Sequence, residues 1–257
     1  MTLGAGCGIM GKNLRRGAGP ALRRGENGME TEHMPLLEGR FLRRCSRFAA
    51  EIEIGGNVEY CHVKNTGRLR ELLVPGARVW CEVHDGAKRK TRCSLVLVEA
   101  AGTLVSIDSL APNRIAFEYV RAGGLGFVPE ALRREVTRGD SRFDLWFRHG
   151  ESEGFLEVKG VTLMEEGTAR FPDAPTERGV KHLRGLQRAA AEGCEAWVIF
   201  VIQRSDAADF RPNDASDPAF GAALREAAAH GVRVRAVRCR VTLDGMTVIG
   251  EVPVQLD

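Results

Sequence analysis

Several features that would place a protein in a membrane or outside the cell are missing from this sequence. No run of about 18 apolar residues occurs, so no transmembrane helix is predicted. The first residues are basic but lack the compact apolar core of a secretory signal peptide. Seven cysteines, at positions 7, 45, 61, 81, 93, 194 and 239, form no C-x-x-C pair. We therefore expect reduced thiols in a cytoplasmic protein.

A strong excess of one charge is also missing, since the net charge is only +3 at pH 7. The balance is +3 over residues 35–112 and −2 over residues 113–257. This difference suits a polyanion-binding half beside a metal-binding half, but ordinary surface variation explains it equally well. No helix-turn-helix pattern is visible, so we do not expect sequence-specific reading of an operator. Any nucleic-acid binding is expected to act through phosphates and to be salt-sensitive.

Residues 1–34 form a glycine-rich, basic leader. Eight glycines precede Met29, and no acidic residue precedes Glu26. Such a composition buries too little apolar surface to fold, so we predict a disordered arm. The arm either touches nucleic acid or is a misassigned leader, because Met29 and Met34 offer later starts.

Residues 35–112 show the pattern of short strands separated by turns, among them Gly55-Gly56-Asn57 and Asn65-Thr66-Gly67. About five strands with one short helical turn predict an OB-like barrel, which is a common scaffold for binding single strands. Phe48, Tyr60 and Trp80 could stack on bases. We favour core positions for them because each lies in a predicted strand.

Basic residues of this half are the first candidates for contacts with phosphates. Arg68 follows the second turn, and Lys88, Arg89 and Lys90 lie at a predicted hairpin tip after Asp85-Gly86. At a tip they could reach phosphates without distorting the barrel. The alternative is a solvated loop, as for most charge runs.

The sequence is organised around residues 143–147 and 155–159, where apolar and polar side chains alternate. The alternation is typical of strands, and the glycine-flanked polar link between them favours an antiparallel hairpin. In suitable register the hairpin brings Asp144, Glu157 and Lys159 together. Two carboxylates suit Mg²⁺ or Mn²⁺, and the ammonium can orient a water or stabilise phosphate charge. The pattern therefore predicts a phosphodiester-cleaving centre.

Other polar residues could assist this centre. Glu135 is either a third metal carboxylate or a surface partner of a neighbouring arginine. Thr176 is predicted to cap a helix that runs to about Glu192 and carries Arg178 and His182 four residues apart. His182 either points at the centre or is a structural histidine.

The second half is predicted to be an α/β domain that follows a joint at Ala111-Pro112-Asn113. Asn113 is expected to cap a helix over residues 114–120. The subsequent order of strands and helices predicts helices packed on a mixed sheet, with residues 195–202 as a central buried strand.

Six motifs in this order resemble those of the sugar fermentation stimulation protein A (SfsA) family, and the resemblance extends from about Phe41 to the C-terminus. They are Asn65-Thr66-Gly67-Arg68, Lys88-Arg89-Lys90-Thr91, Ser141-Arg142-Phe143-Asp144, Glu157-Val158-Lys159, Phe171-Pro172-Asp173-Ala174 and Thr176-Glu177-Arg178-Gly179 with Lys181-His182-Leu183.

The resemblance implies an N-terminal OB-like domain and a C-terminal domain similar to PD-(D/E)xK nucleases, with Ser141-Arg142-Phe143 in place of the usual proline. It also implies binding to DNA, with RNA as a weaker alternative, and a link to maltose fermentation genes. On the nuclease hypothesis Asp144 and Glu157 hold Mg²⁺, Lys159 positions or activates water, and Glu135 and His182 assist. Arg142, Arg178 and Lys181 are the expected contacts to flanking phosphates. The alternative is a regulator that binds DNA without cutting it.

Overall fold

The computed structural model describes residues 36–84 and 91–257. The predicted leader, residues 1–34, and the basic residues Lys88, Arg89 and Lys90 lie outside the described residues. Within the described ranges no helix has the length and apolarity needed to cross a membrane.

The N-terminal lobe is an OB barrel, as the strand pattern predicted. Its strands are β1 (Leu36–Ser46), β2 (Ala49–Ile54), β3 (Asn57–Val63), β4 (Arg78–Val83), β5 (Cys93–Ala100) and β6 (Thr103–Ser106). They are ordered β3-β2-β1-β4-β5-β6, and a parallel pairing between β3 and β5 closes the barrel. Side chains along β2 alternate between the inside and the outside of this barrel, since Ala50 and Ile52 are fully buried while Glu53 is exposed.

The C-terminal lobe is built on a mixed sheet ordered β15-β14-β12-β9-β8-β7. Its elements in chain order are α1 (Ala111–Arg121), β7 (Ala131–Arg138), β8 (Ser141–His149), β9 (Ser152–Val161), β10 (Met164–Glu165), β11 (Thr168–Phe171), α2 (Glu177–Ala191), β12 (Glu195–Ile202), β13 (Asp209–Pro212), α3 (Pro218–Ala229), β14 (Arg233–Val241) and β15 (Met246–Val252). Strands β9, β12 and β14 run parallel, whereas β7, β8 and β15 pair antiparallel to their neighbours. The strands β10, β11 and β13 form a small second sheet.

Helix α2 begins where the sequence predicted. The Thr176 Oγ1 accepts a hydrogen bond from the Gly179 N–H at 3.1 Å, which satisfies one of the unpaired donors of the first turn. Leu183 and Leu186 are fully buried against the sheet. The helix therefore presents a fixed face to β8 and β9.

Helix α1 differs from the prediction. It begins at Ala111, with Leu110 at the N-cap position and Pro112 in the first turn. Proline suits the first turn because its φ angle is already helical and its missing N–H has no partner there. Asn113 therefore lies inside the helix, and its side chain is free for a different contact.

The assignment of all three barrel aromatics to the core was wrong for two of them. Trp80 is 4% exposed, but Phe48 is 49% and Tyr60 is 54% exposed. Tyr60 points outward because its neighbour Cys61 takes the inward position of β3. Phe48 lies in the turn between β1 and β2, not in a strand.

The two lobes share a hydrophobic core. Trp80 and Leu97 of the barrel pack in one cluster with Ile115 of α1 and Leu145 of β8. The Gln203 side-chain amide, at the end of β12, donates to the carbonyls of Ser106 at 2.8 Å and Asp108 at 3.1 Å. These contacts fix the barrel against the mixed sheet.

Candidate active site

The predicted hairpin is confirmed as β8 and β9. The register pairs Leu145 with Leu156 and Trp146 with Phe155. One position further, regular backbone pairing stops, and the Asp144 Oδ2 accepts a hydrogen bond from the Val158 N–H at 2.8 Å. The Asp144 carboxylate thus accepts the hydrogen bond that a backbone carbonyl of β8 would otherwise accept. The two strands separate at this point, beside Glu157.

Asp144 is held from a second side by α1. The Asn113 Nδ2 donates to the Asp144 Oδ1 at 2.8 Å. Burial raises the pKa of Asp144 above its ordinary value, and the charge of Glu157 raises it further. The nearby carboxylates therefore repel one another, which is the electrostatic situation that a bound cation would relieve.

Glu157 is buried and has two differently occupied oxygens. The Oε1 accepts hydrogen bonds from Lys159 Nζ at 2.5 Å and from the His182 Nδ1. The Oε2 is buried and has no hydrogen-bond partner. Burial alone would raise the pKa of Glu157, but the hydrogen bond with His182 and the positive charge of Lys159 outweigh it, so the pKa is lowered. Glu157 is therefore ionised at neutral pH and has a free acceptor.

His182 is oriented by Arg178, one turn earlier on α2. The Arg178 Nε lies 3.4 Å from the His182 Nε2 and can only donate to it. In this arrangement the Nε2 accepts from Arg178 and the Nδ1 donates to the Glu157 Oε1. Arg178 therefore contacts His182, and His182 contacts Glu157 of the centre.

A glycine brings α2 close to β8. A Cβ atom at Gly185 would lie 2.6 Å from the Ser141 Oγ and 3.1 Å from the Phe143 ring. Only a residue without a side chain permits this separation. The close approach places His182, three residues earlier, at hydrogen-bonding distance from the sheet.

Four other predicted site residues lie outside this centre. Glu135 lies exposed on β7, with a positive φ of 56°, and pairs with Arg142. The Lys181 Nζ lies 3.6 Å from the Asp140 Oδ2. Arg68 is exposed on the barrel, and its N–H donates to Asp173 Oδ2 at 2.8 Å. The structure therefore places Glu135 as a surface partner of Arg142, the second of its two predicted alternatives.

Two residues with clear roles were missed by sequence reasoning. Asn113 orients Asp144, and the only sequence signal for this is that a proline beside it can start the helix. The Arg44 guanidinium donates to the carbonyls of Arg47, Asn65, Gly67 and Arg68 at 2.5–3.0 Å. Arg44 thereby holds the Asn65–Arg68 loop against the turn after β1. Nothing in the sequence distinguished Arg44 from the neighbouring arginines.

The oxygen donors of the centre belong to Asp144 and Glu157, and they meet the needs of a hydrated divalent cation. In the described ranges no group of three or more His, Cys, Asp or Glu side chains is arranged to hold a metal. Mg²⁺ does not require such a group, because it keeps several waters and binds through one or two carboxylates. The free Glu157 Oε2 and the partly buried Asp144 beside it are suitable oxygens. The residues present therefore fit a hydrated hard cation.

Comparisons with known proteins agree with this architecture. Residues 42–107 match the family described as the SfsA N-terminal OB domain, and residues 110–245 match the sugar fermentation stimulation protein RE domain. A sugar fermentation stimulation protein homolog of Desulfitobacterium hafniense strain Y51 is 47% identical over 82% of this chain and 92% of the relative. A homolog of Acetivibrio thermocellus is 46% identical over 85% of this chain and 96% of the relative.

A solved structure is similar in fold as well. Pyrococcus furiosus SfsA, described as in complex with Ca²⁺, superposes with a TM-score of 0.81 at 30% identity, covering 90% of this chain and all of that one. Both family matches, the curated relatives and this structure agree. The chain belongs to the sugar fermentation stimulation protein (SfsA) family.

Proposed function

We propose that this protein is a divalent-metal-dependent nuclease that hydrolyses phosphodiester bonds in DNA. One observation carries the proposal. Glu157 is buried and ionised, with one oxygen unpaired, beside Asp144 and Lys159. A buried polar atom without a partner costs free energy, about 1–3 kcal/mol, unless a ligand satisfies it.

Each side chain of the centre has a distinct task. Asp144 and Glu157 hold Mg²⁺ or Mn²⁺, which when bound lowers the pKa of water and offsets charge on the phosphate. Lys159, with 13% of its side chain exposed, directs its ammonium at the attacking water or at the phosphate oxygens. His182 and Asn113 position Glu157 and Asp144.

Two further observations support the proposal. The similar Pyrococcus furiosus protein is described in complex with Ca²⁺, a hard cation that takes oxygen ligands as Mg²⁺ does. The centre is also joined to an OB barrel, a lobe that commonly binds oligonucleotides. Phosphate contacts would come from exposed cations outside the centre, Arg68, Arg142 and Lys181.

The second candidate function is a regulator that binds DNA without cutting it. One observation favours it, since both Asp144 oxygens are already hydrogen-bonded within the protein. The relatives are also named for sugar fermentation and not for hydrolysis. Binding to RNA is a third and weaker candidate, because OB folds accept either polymer.

Cleavage assays separate these functions. End-labelled single-stranded DNA, duplex DNA, branched DNA and RNA are incubated with Mg²⁺ or Mn²⁺ and with the wild type, Asp144→Ala or Lys159→Ala. Glu135→Gln is the matched control, because it changes an exposed carboxylate near the same hairpin. We expect metal-dependent cutting by the wild type and the control, and a rate reduced at least about 100-fold in the other two.

Two results would contradict the proposed nuclease centre. No cutting of any polymer, with binding retained by all four proteins, would support the regulator. Cutting that persists in Lys159→Ala and Asp144→Ala would show that the chemistry occurs elsewhere.

A further inference from the structure

Three aromatic rings form a row on the outside of the barrel. Tyr60 and His62 project from the same face of β3, and Phe48 lies beside them in the turn before β2. Tyr60 is 54% and Phe48 49% exposed, whereas Trp80 is buried in the core. Large rings left in water at adjacent positions of one sheet face are unlike the scattered apolar residues of an ordinary surface.

The row is held in place by the fold. The His62 Nδ1 is 3.0 Å from the Phe48 carbonyl oxygen, and the two ring planes are inclined by only 25°. The Val63 N–H also donates to the Phe48 carbonyl. Phe48 and His62 are therefore held against each other on the barrel surface, so little conformational entropy is lost when a flat ligand stacks on them.

The charge around the row suits a polyanion. The Arg47 guanidinium lies 5.6 Å from the centre of the Phe48 ring. Glu51, which pairs with Tyr60 across β2 and β3, is neutralised by a two-pronged contact from Arg43 at 2.7 and 2.9 Å. A chain of bases on the rings would thus have a cation available for its phosphates.

The row lies beside a cavity between the two lobes. Arg47 also lines a cavity of about 310 Å³ between the two lobes, together with Thr66 and Gly67 of the barrel. Gly160, the residue after Lys159, lies in the opposite wall of the same cavity. A strand that leaves Phe48 past Arg47 therefore enters the cavity between the two lobes.

We propose that Tyr60, His62 and Phe48 are a base-stacking platform for single-stranded DNA, from which an unpaired strand can continue past Arg47 into the cavity between the lobes. Stacking requires exposed base faces, so duplex DNA cannot use the platform. The inference rests on the proposed function only in taking DNA as the ligand. Binding at the platform does not require a metal or a cleaved bond.

The test measures binding in EDTA, where no metal-dependent cutting occurs. Fluorescence anisotropy is recorded with a labelled oligothymidylate of about 16 nucleotides, the upper site size of one OB fold. The wild type is compared with Phe48→Ala and Tyr60→Ala. Leu243→Ala, which removes an exposed apolar side chain from the turn between β14 and β15, is the matched control.

We expect the dissociation constant to rise about tenfold for each ring removed and to stay unchanged for Leu243→Ala. A second probe has the same phosphates but abasic sites in place of bases. The wild type should bind it more weakly, and the loss of a ring should no longer matter. This probe tests stacking on the unaltered protein, so it does not depend on the folding of any variant.

Four results would overturn the proposal. The first two are equal affinity for duplex and single-stranded DNA, and equal affinity for normal and abasic strands. The other two are unchanged binding after Phe48 and Tyr60 are both replaced by alanine, and preferred binding of RNA through the same rings. A dimer in sedimentation that dissociates when Phe48 and Tyr60 are removed would assign the row to contacts between copies instead. Failure of cleavage with the platform intact would count against the nuclease alone.

Discussion

At the scale of single residues, the two carboxylates of the centre differ in their pKa shifts although they are neighbours. Asp144 has a raised pKa, caused by burial and by the charge of Glu157, and Glu157 has a lowered pKa because His182 and Lys159 outweigh its burial. Strand alternation predicted Asp144, Glu157 and Lys159 together, whereas helical spacing left His182 either at the centre or structural. The sequence could not predict which oxygen is left free, because that depends on side-chain geometry across three elements.

The opposite shifts predict how stability depends on pH. A raised folded-state pKa means that the folded protein binds the Asp144 proton more tightly than the unfolded chain. The Asp144 charge therefore destabilises the fold at neutral pH, and the penalty disappears as the pH falls through that pKa. Glu157 behaves oppositely: its contribution is present above the unfolded pKa and is lost as the pH falls through the lowered one.

Asp144→Asn should therefore raise the free energy of unfolding at pH 7 in EDTA, because it removes a buried charge whose pKa is raised and keeps an acceptor for the Val158 N–H. The gain should shrink as the pH approaches and passes below the Asp144 pKa. Urea unfolding at several pH values measures it. Glu135→Gln, an exposed change, should stay within about 0.5 kcal/mol throughout. A loss of stability in Asp144→Asn at pH 7 would refute the assigned sign.

At the scale of elements, the sequence predicted the hairpin of β8 and β9 and the start of α2, because alternation and the Thr176 cap are local signals. It misplaced the start of α1, where Pro112 in the first turn begins the helix and leaves Asn113 to contact Asp144. The distance of α2 from the sheet could not be predicted, since it depends on the meeting of Gly185 with Ser141.

Gly185→Ala tests this close approach. The added Cβ would lie 2.6 Å from the Ser141 Oγ and 3.1 Å from the Phe143 ring, so α2 must shift outward. We expect a loss of about 1–3 kcal/mol from overpacking, despite the better helix propensity of alanine. The His182 contact with Glu157 should weaken as well, which an NMR shift of the His182 ring would report.

The matched control is Arg184→Ala, an exposed change at the preceding position of α2. It should alter neither stability nor the His182 signal appreciably. If Gly185→Ala is as stable as the wild type, the helix does not rest against β8 as described.

At the scale of the whole molecule, the division into a barrel and an α/β lobe follows from strand lengths and turns, so the sequence predicted it. The sequence did not predict the core shared by the two lobes, because Trp80 and Leu97 meet Ile115 and Leu145 only through tertiary packing. The exposure of Phe48 and Tyr60 was not predicted for the same reason. Alternation indicates that one face of a strand is buried, but it does not indicate whether the other face is covered.

The shared core predicts cooperative unfolding. Because barrel and sheet bury the same cluster, neither lobe keeps its core when the other unfolds. Differential scanning calorimetry should show one transition, with equal calorimetric and van't Hoff enthalpies. Trp80→Ala should lower that single transition, at a cost of about 3–5 kcal/mol. Two separate transitions in the wild type would contradict the prediction.

The central claim is that Asp144 and Glu157 hold a divalent cation, and calorimetric titration with Mn²⁺ without nucleic acid tests it most directly. We predict saturable binding by the wild type and affinity at least about tenfold weaker in Asp144→Asn and Glu157→Gln. Lys159→Ala should bind Mn²⁺ at least as tightly as the wild type, because it removes a neighbouring positive charge, and yet fail to cut DNA. No saturable binding, or binding unchanged in Glu157→Gln, would contradict the account.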